Sequence, residues 1–177
     1  EGQTWLAPSP ELQMKRLLAR QSGPIYQITR SYRHGERGEL HLPEFSMLEW
    51  YRPGADYRAA MADAVALLRA MAGAPSVRFR GATIEVPADL EGAERLTVRE
   101  AFERFAGHAP PDDPDELARE LGERIEPNLG IARPTVLYDY PRHQASLART
   151  SPADAAIAER FELYVAGIEL CNGFSEL

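Results

Sequence analysis

The chain has 177 residues, a formal net charge of −7, 44% hydrophobic and 27% charged residues, and a single cysteine. That length supports one substantial core, and the acidic balance argues against a broad nucleic-acid surface, where clustered Lys and Arg would be needed. No apolar run approaches the length that spans a bilayer, residues 1–4 lack the basic start and apolar stretch of a signal peptide, and the lone Cys171 fits a reducing cytoplasm.

Ser9-Pro10-Glu11 predicts a helix start, with Ser as cap, Pro at the first position and an acid in the first turn; Gly23-Pro24 should end that helix. Ile25 to Arg33 reads as a strand with Tyr26, Ile28 and Tyr32 on an apolar face and Gln27, Thr29, Ser31 and Arg33 in a polar row. Such one-sided polarity predicts one packed face and one face lining a cleft. A charged, glycine-bearing loop from His34 to Pro43 returns the chain as a strand over 44–52. Period-two alternation places Phe45, Glu49 and Tyr51 together, with Trp50 on the other face. Asp56 should cap a helix whose stripe is Tyr57, Met61, Ala64, Val65, Leu68 and Met71.

Residues 73–95 alternate only weakly. Thr97-Val98-Arg99-Glu100 predicts a capping box and a short helix carrying Phe102 and Phe105. A proline-rich connector then leads to a helix from Asp115 to about Ile125. Thr135 to Tyr140 reads as a strand broken by Pro141. A short helix with Ala145 and Leu147 and another from Ser151-Pro152 through Glu159 are expected next. Residues 161–165 and 168–171 alternate as strand, and Asn172-Gly173 reads as a two-residue hairpin turn. That turn would set Glu169 opposite Glu176.

Facing carboxylates repel unless a cation lies between them, so the pair suggests Mg²⁺ or a ligand amine; the alternative is a bulge that lets them diverge. Arg33 has the planar fork that suits phosphate or carboxylate, or else forms a surface ion pair with Glu36 or Glu39. His34, His41, His108 and His143 show no zinc spacing with the cysteine, and neither a GxxxxGK[ST] nor a GxGxxG loop is present. An ATP site here needs another architecture.

Ser9-Pro10-Glu11 with Met14 to Leu18, the run Arg33 to Arg52, Glu126-Pro127-Asn128, Leu137 to Pro141, and Ala158 to Tyr164 leading into Gly167 to Leu177 occur in an order that resembles one family. The chain is similar to the catalytic core of class II lysyl-tRNA synthetases, and more specifically to the elongation factor P–(R)-β-lysine ligases. The wording Met47-Leu48-Glu49-Trp50-Tyr51-Arg52 and the segment Gln144 to Arg149 favour the ligases. Residues 73–123 carry none of the resemblance.

The resemblance implies an α+β class II catalytic fold, a mainly antiparallel sheet flanked by helices. Residues 1–177 would form a partial catalytic domain without motifs 1 and 3. It implies an ATP- and Mg²⁺-dependent ligase that activates lysine or (R)-β-lysine as an adenylate and passes it to a lysine of elongation factor P. The alternatives it leaves are a lysyl-tRNA synthetase core and an inactive synthetase-like binding module. Arg33 would be the catalytic residue, holding the α-phosphate and the acyl carboxylate. His34, Gly35, Glu36, Leu42, Phe45, Glu169 and Leu170 would frame ATP. The family carries Asn where this chain has Leu42, which leaves only main-chain contact at that position. Ser9, Pro10, Glu11, Glu49, Tyr51, Asn172, Phe174 and Glu176 would line the amino-acid pocket, with Glu169 and Glu176 as Mg²⁺ ligands. A cytoplasmic enzyme, homodimeric at full length, is implied, with tRNA the less favoured partner and no membrane.

Overall fold

The structure, a computed structural model, describes residues 5–20 and 22–177; the first four residues, read above for a leader, lie outside it. The chain forms two compact units, Glu1–Gly54 and Ala55–Leu177, each described by itself. Helices and largely antiparallel strands make it α+β, as predicted.

In the first unit, helix α1 (Glu11–Leu18) starts where Ser9 Oγ accepts the Glu11 N–H at 2.9 Å. It stops at Leu18, well short of Gly23. Met14 is its one buried side chain, while Leu12 and Leu17 are exposed, so no continuous apolar stripe sustains further turns. Strands β1 (Ile25–Tyr32) and β2 (Glu44–Tyr51) pair antiparallel without a register break, from Ile25 opposite Tyr51 to Tyr32 opposite Glu44. Arg33 N–H closes the loop by donating to the Pro43 carbonyl at 2.9 Å.

The register sorts the side chains as the alternation predicts: Ser31 and Phe45, Thr29 and Met47, and Gln27 and Glu49 share one face, while Tyr26 and Trp50 share the other. Burial reverses the expectation for β1. Tyr26 and Ile28 are 76% and 67% exposed, whereas Ser31 on the polar row is fully buried.

In the second unit, α2 (Tyr57–Ala72) begins at Asp56, whose side chain accepts the Ala59 N–H, and ends at left-handed Gly73. Tyr57, Met61, Ala64 and Val65 are buried as predicted; Met71, at the last turn, is exposed. The weakly patterned region contains a hairpin, β3 (Ser76–Phe79) and β4 (Ala82–Glu85), turned by Arg80-Gly81 with both φ positive. The Arg-Gly pair makes the turn that Asn-Gly usually announces, which hides it from the sequence. Strand β5 (Glu94–Thr97) leads into α3 (Val98–Phe105) through the capping box of Thr97 and Glu100. Helix α4 (Pro114–Glu120) continues as a π-helical turn, Leu121–Ile125, and a 3-10 turn, Glu126–Asn128.

Strands β6 (Thr135–Pro141), β7 (Ile157–Val165) and β8 (Ile168–Phe174) complete a sheet of order β5-β6-β7-β8. Only β5 and β6 run parallel. Val98, Phe102, Leu117, Ile125, Leu129, Leu137, Tyr140 and Tyr164 form its buried core.

Three local expectations yield to this sheet. After Pro141 there is only a 3-10 turn, Arg142–Gln144, and Ser146, at φ +53, ends any helix there. The helix expected from Ser151 to Glu159 does not form, because Ile157 and Ala158 pair with Pro141 and Tyr140 and extend β7. Asn172-Gly173 does not turn either. The hairpin turns at Ala166-Gly167, φ +51 and +73, and Asn172 and Gly173 pair within β8 with Glu162 and Phe161. Gly173 is there for space: a Cβ would lie 2.6 Å from the Phe161 ring.

Candidate functional site

The first unit brings together six of the predicted residues in two clusters. Glu49 is held at both oxygens. Ser9 donates to its Oε1 at 2.5 Å and Tyr51 donates to its Oε2 at 2.9 Å. The Ser9 hydroxyl also accepts from α1, so the helix start and strand β2 jointly orient this carboxylate. Two residues beyond Ser31 along the same polar row, the Arg33 guanidinium lies over the Phe45 ring, 5.2 Å from its centroid, and 3.8 Å from Glu36. Both the ion pair and the aromatic neighbour weighed from the sequence are therefore present. The ion pair is half-exposed and contributes on the order of 0–1 kcal/mol, little enough for a bound anion to displace it.

The remaining residues of this unit are looser. Glu11 is tied to Lys15 at 2.6 Å within α1, and Pro10 is buried at the helix start. His34, Gly35 and Leu42 sit on the exposed loop, with Gly35 at φ +82 and Leu42 64% exposed.

In the second unit, the predicted Glu169–Glu176 facing pair is corrected. Glu169 pairs with Tyr164, while Glu176 makes an isolated bridge with Ala148. Leu170 is the extra residue of a bulge, because Leu163 pairs with Cys171 and Tyr164 with Glu169. The bulge turns Glu169 onto the face shared by Asn172, Phe174, Arg160, Glu162 and Tyr164.

Glu162 is the residue that sequence reading missed. It is 7% exposed and accepts three hydrogen bonds of 2.5 Å: Tyr140 and Tyr164 donate their phenols to Oε2, and Arg160 donates to Oε1. Arg160 also stacks 4.5 Å from the Tyr140 ring centroid. Burial, and next the Glu162 charge, push both phenols far above their ordinary range, which keeps them donors. A charged residue inside the alternating segment 161–165, on a strand buried on both faces, was the available signal.

Glu169 feels this cluster. Burial of its carboxyl first, then repulsion from Glu162, raises it from 4.5 to about 7, against the pull of Arg160 and a hydrogen bond with Asn172; Glu126 adds further repulsion. Glu126 is itself raised, by burial and by Glu162. Such crowding favours a cation, and the donor set is hard oxygen, which suits Mg²⁺. Among the described residues no three His, Cys, Asp or Glu groups stand ready to cage a metal unaided. Mg²⁺ held by one or two carboxylates together with substrate phosphates matches that donor count.

A family model described as tRNA synthetases class II (D, K and N) matches residues 2–177. An elongation factor P–(R)-β-lysine ligase from Haemophilus influenzae (strain PittGG) is 43% identical over 179 residues, covering 98% of this chain and 55% of that protein. Proteins of the same name from Vibrio cholerae and Photorhabdus laumondii are 42% and 38% identical over 180 and 202 residues. They cover 97% and 100% of this chain and 56% and 57% of their own lengths. The chain thus spans a little over half the length of the curated relatives it matches.

Proposed function

The chain belongs to the class II tRNA synthetases (D, K and N), and on that premise we propose that it is the greater part of the catalytic domain of an ATP-dependent ligase. The ligase activates (R)-β-lysine or lysine and transfers it to a lysine side chain of elongation factor P. The observation that carries this reading is Glu49. A carboxylate oriented at both oxygens by Ser9 and Tyr51 is a ready partner for a substrate ammonium, and a desolvated ammonium needs an anionic neighbour. The ligase names of relatives at 38–43% identity support the acceptor.

In this reading Phe45 stacks the adenine, and His34, Gly35, Glu36 and the main chain at Leu42 frame it. The Arg33 fork binds the α-phosphate and the incoming carboxylate. The carboxylate oxygen attacks the α-phosphorus, the bond to the β-phosphate breaks, and pyrophosphate leaves. The acceptor's ε-amine then attacks the adenylate carbonyl, AMP leaves, and the amine loses its proton as the amide forms. Arg33 stabilises the charge that develops on phosphorus in the first step, and no nucleophilic side chain is required. Pro10, Glu11, Asn172, Phe174 and Glu176 complete the amino-acid contacts, and Leu170 the nucleotide contacts. Glu169 would hold Mg²⁺, with Glu162 the neighbouring carboxylate and Glu176 the further candidate, and the ion would supply charge to offset the phosphates.

We read the enzyme as cytoplasmic, which the lone Cys171 supports, and as a homodimer, which rests on the resemblance alone. Among the described residues no helix is long and apolar enough to cross a membrane. The test is to incubate the full-length protein with ATP, Mg²⁺ and either amino acid, then weigh elongation factor P and measure tRNA charging. A β-lysyl or lysyl mass shift on the factor without charged tRNA is expected. Charged tRNA with an unmodified factor would make the protein a lysyl-tRNA synthetase, and neither product would make it an inactive binding module.

A further inference from the structure

Three segments of the second unit meet at Ser175, the residue between Phe174 and Glu176. Its N–H donates to the Glu159 carbonyl at 2.9 Å, and its own carbonyl accepts the Arg149 N–H at 2.8 Å. Its buried hydroxyl accepts the Tyr57 N–H at 2.9 Å. That N–H belongs to the first turn of α2, where backbone donors have no partner inside the helix. The buried Tyr57 phenol in turn donates to Asp139 Oδ1 at 2.7 Å.

Asp139 has φ +59, at the register break of β6 between Tyr138 and Tyr140. Aspartate is one of the few non-glycine residues that adopt that left-handed conformation, and the Tyr57 phenol bonds its carboxylate there. One residue therefore ties the start of α2 to the β6 register break through its side chain and to the end of β8 through its main chain.

We infer that Tyr57 is a positioning residue for amino-acid binding, fixing through Ser175 and Asp139 where Phe174 and Glu176 stand; this rests on the reading of those two residues as amino-acid contacts. Phe174 and Glu176 flank Ser175 along the backbone, so a shift of Ser175 moves both. Binding geometry is sensitive to displacements of about 1 Å. The Tyr57 N–H bonds Ser175, whose two chain neighbours are both read as amino-acid contacts, so the effect falls on the amino acid.

The experiment is ATP–pyrophosphate exchange by the full-length protein with lysine and (R)-β-lysine, with thermal melts alongside. Tyr57→Phe keeps the buried ring and removes only the phenol bond; Ser175→Ala removes the hydroxyl acceptor. Each is expected to raise KM for the amino acid about five- to tenfold, with kcat and the KM for ATP within about twofold of wild type. Asp139→Asn, which retains an acceptor and tolerates the left-handed region, is expected to stay near wild type, whereas Asp139→Ala matches Tyr57→Phe. Unchanged amino-acid KM in Tyr57→Phe and Ser175→Ala overturns the inference. So does a loss of kcat that tracks melting temperature without a KM split. Should Tyr57→Phe melt below the assay temperature, the Asp139 pair decides by the same criterion. A wild type that exchanges with no amino acid refutes the functional reading, and this inference with it. An active wild type with an unaffected Tyr57→Phe refutes the positioning role alone.

Discussion

Replacing Glu169 by Gln should stabilise the folded chain at alkaline pH while impairing activity. The folded state holds the Glu169 proton up to about pH 7, whereas an ordinary glutamate releases it near 4.5. Between those values the native state binds more protons than the unfolded chain, so stability falls as pH rises through the window. Fully realised, a shift of that size corresponds to about 3 kcal/mol. Glu169 is exposed as a residue, so water screens part of the repulsion and leaves on the order of 1 kcal/mol. Glutamine keeps the size and the bond to Asn172 but never ionises. Urea denaturation followed by circular dichroism should show Glu169→Gln equal to wild type at pH 4 and more stable by about 1 kcal/mol at pH 8. That corresponds to about 3 °C in melting temperature. Added Mg²⁺ and ATP should raise the melting temperature of wild type more than that of the variant. A variant equally or less stable at pH 8 would refute the electrostatic reasoning, since it would mean that the charged carboxylate is favourably partnered.

Arg33→Ala should reduce ATP–pyrophosphate exchange at least about 100-fold, with Arg33→Lys intermediate because an ammonium keeps the charge but loses the fork; retained exchange in the alanine variant would remove its assigned role. Gly130→Ala should lower stability by about 3 kcal/mol or more in denaturant titration, as expected for strain plus overpacking. Gly130 sits at φ +70, and a Cβ there would lie 2.5 Å from the Tyr164 carbonyl oxygen and 2.6 Å from the Val165 Cα. A loss below about 1 kcal/mol would show that β7 yields at that point.

What was legible in the sequence is what is decided locally. The Asp56 cap and its apolar stripe, the Thr97–Glu100 capping box, and the alternation of β2 each carry their signal within a few residues. The same alternation made the Phe45, Glu49 and Tyr51 face readable. Pairing between distant strands decided the rest. Residues 157–159 look helical until β6 claims them, and Asn172-Gly173 looks like a turn until Ala166-Gly167 closes the hairpin earlier. The placing of Glu169 on the same face as Glu162 depends on the Leu170 bulge, and the grip on Glu162 needs Tyr140 from another strand. No spacing along the chain reports either. The apolar face of β1 misled for a related reason: alternation tells which residues share a face, not which face is covered.

The account turns on carboxylates that select a diamino acid. The most direct test is ATP–pyrophosphate exchange by the full-length protein with lysine, (R)-β-lysine and norleucine, which keeps the length of lysine but lacks its ε-ammonium. The account predicts exchange with lysine or (R)-β-lysine and none above background with norleucine. Exchange as fast with norleucine, or none with any of the three, would contradict it.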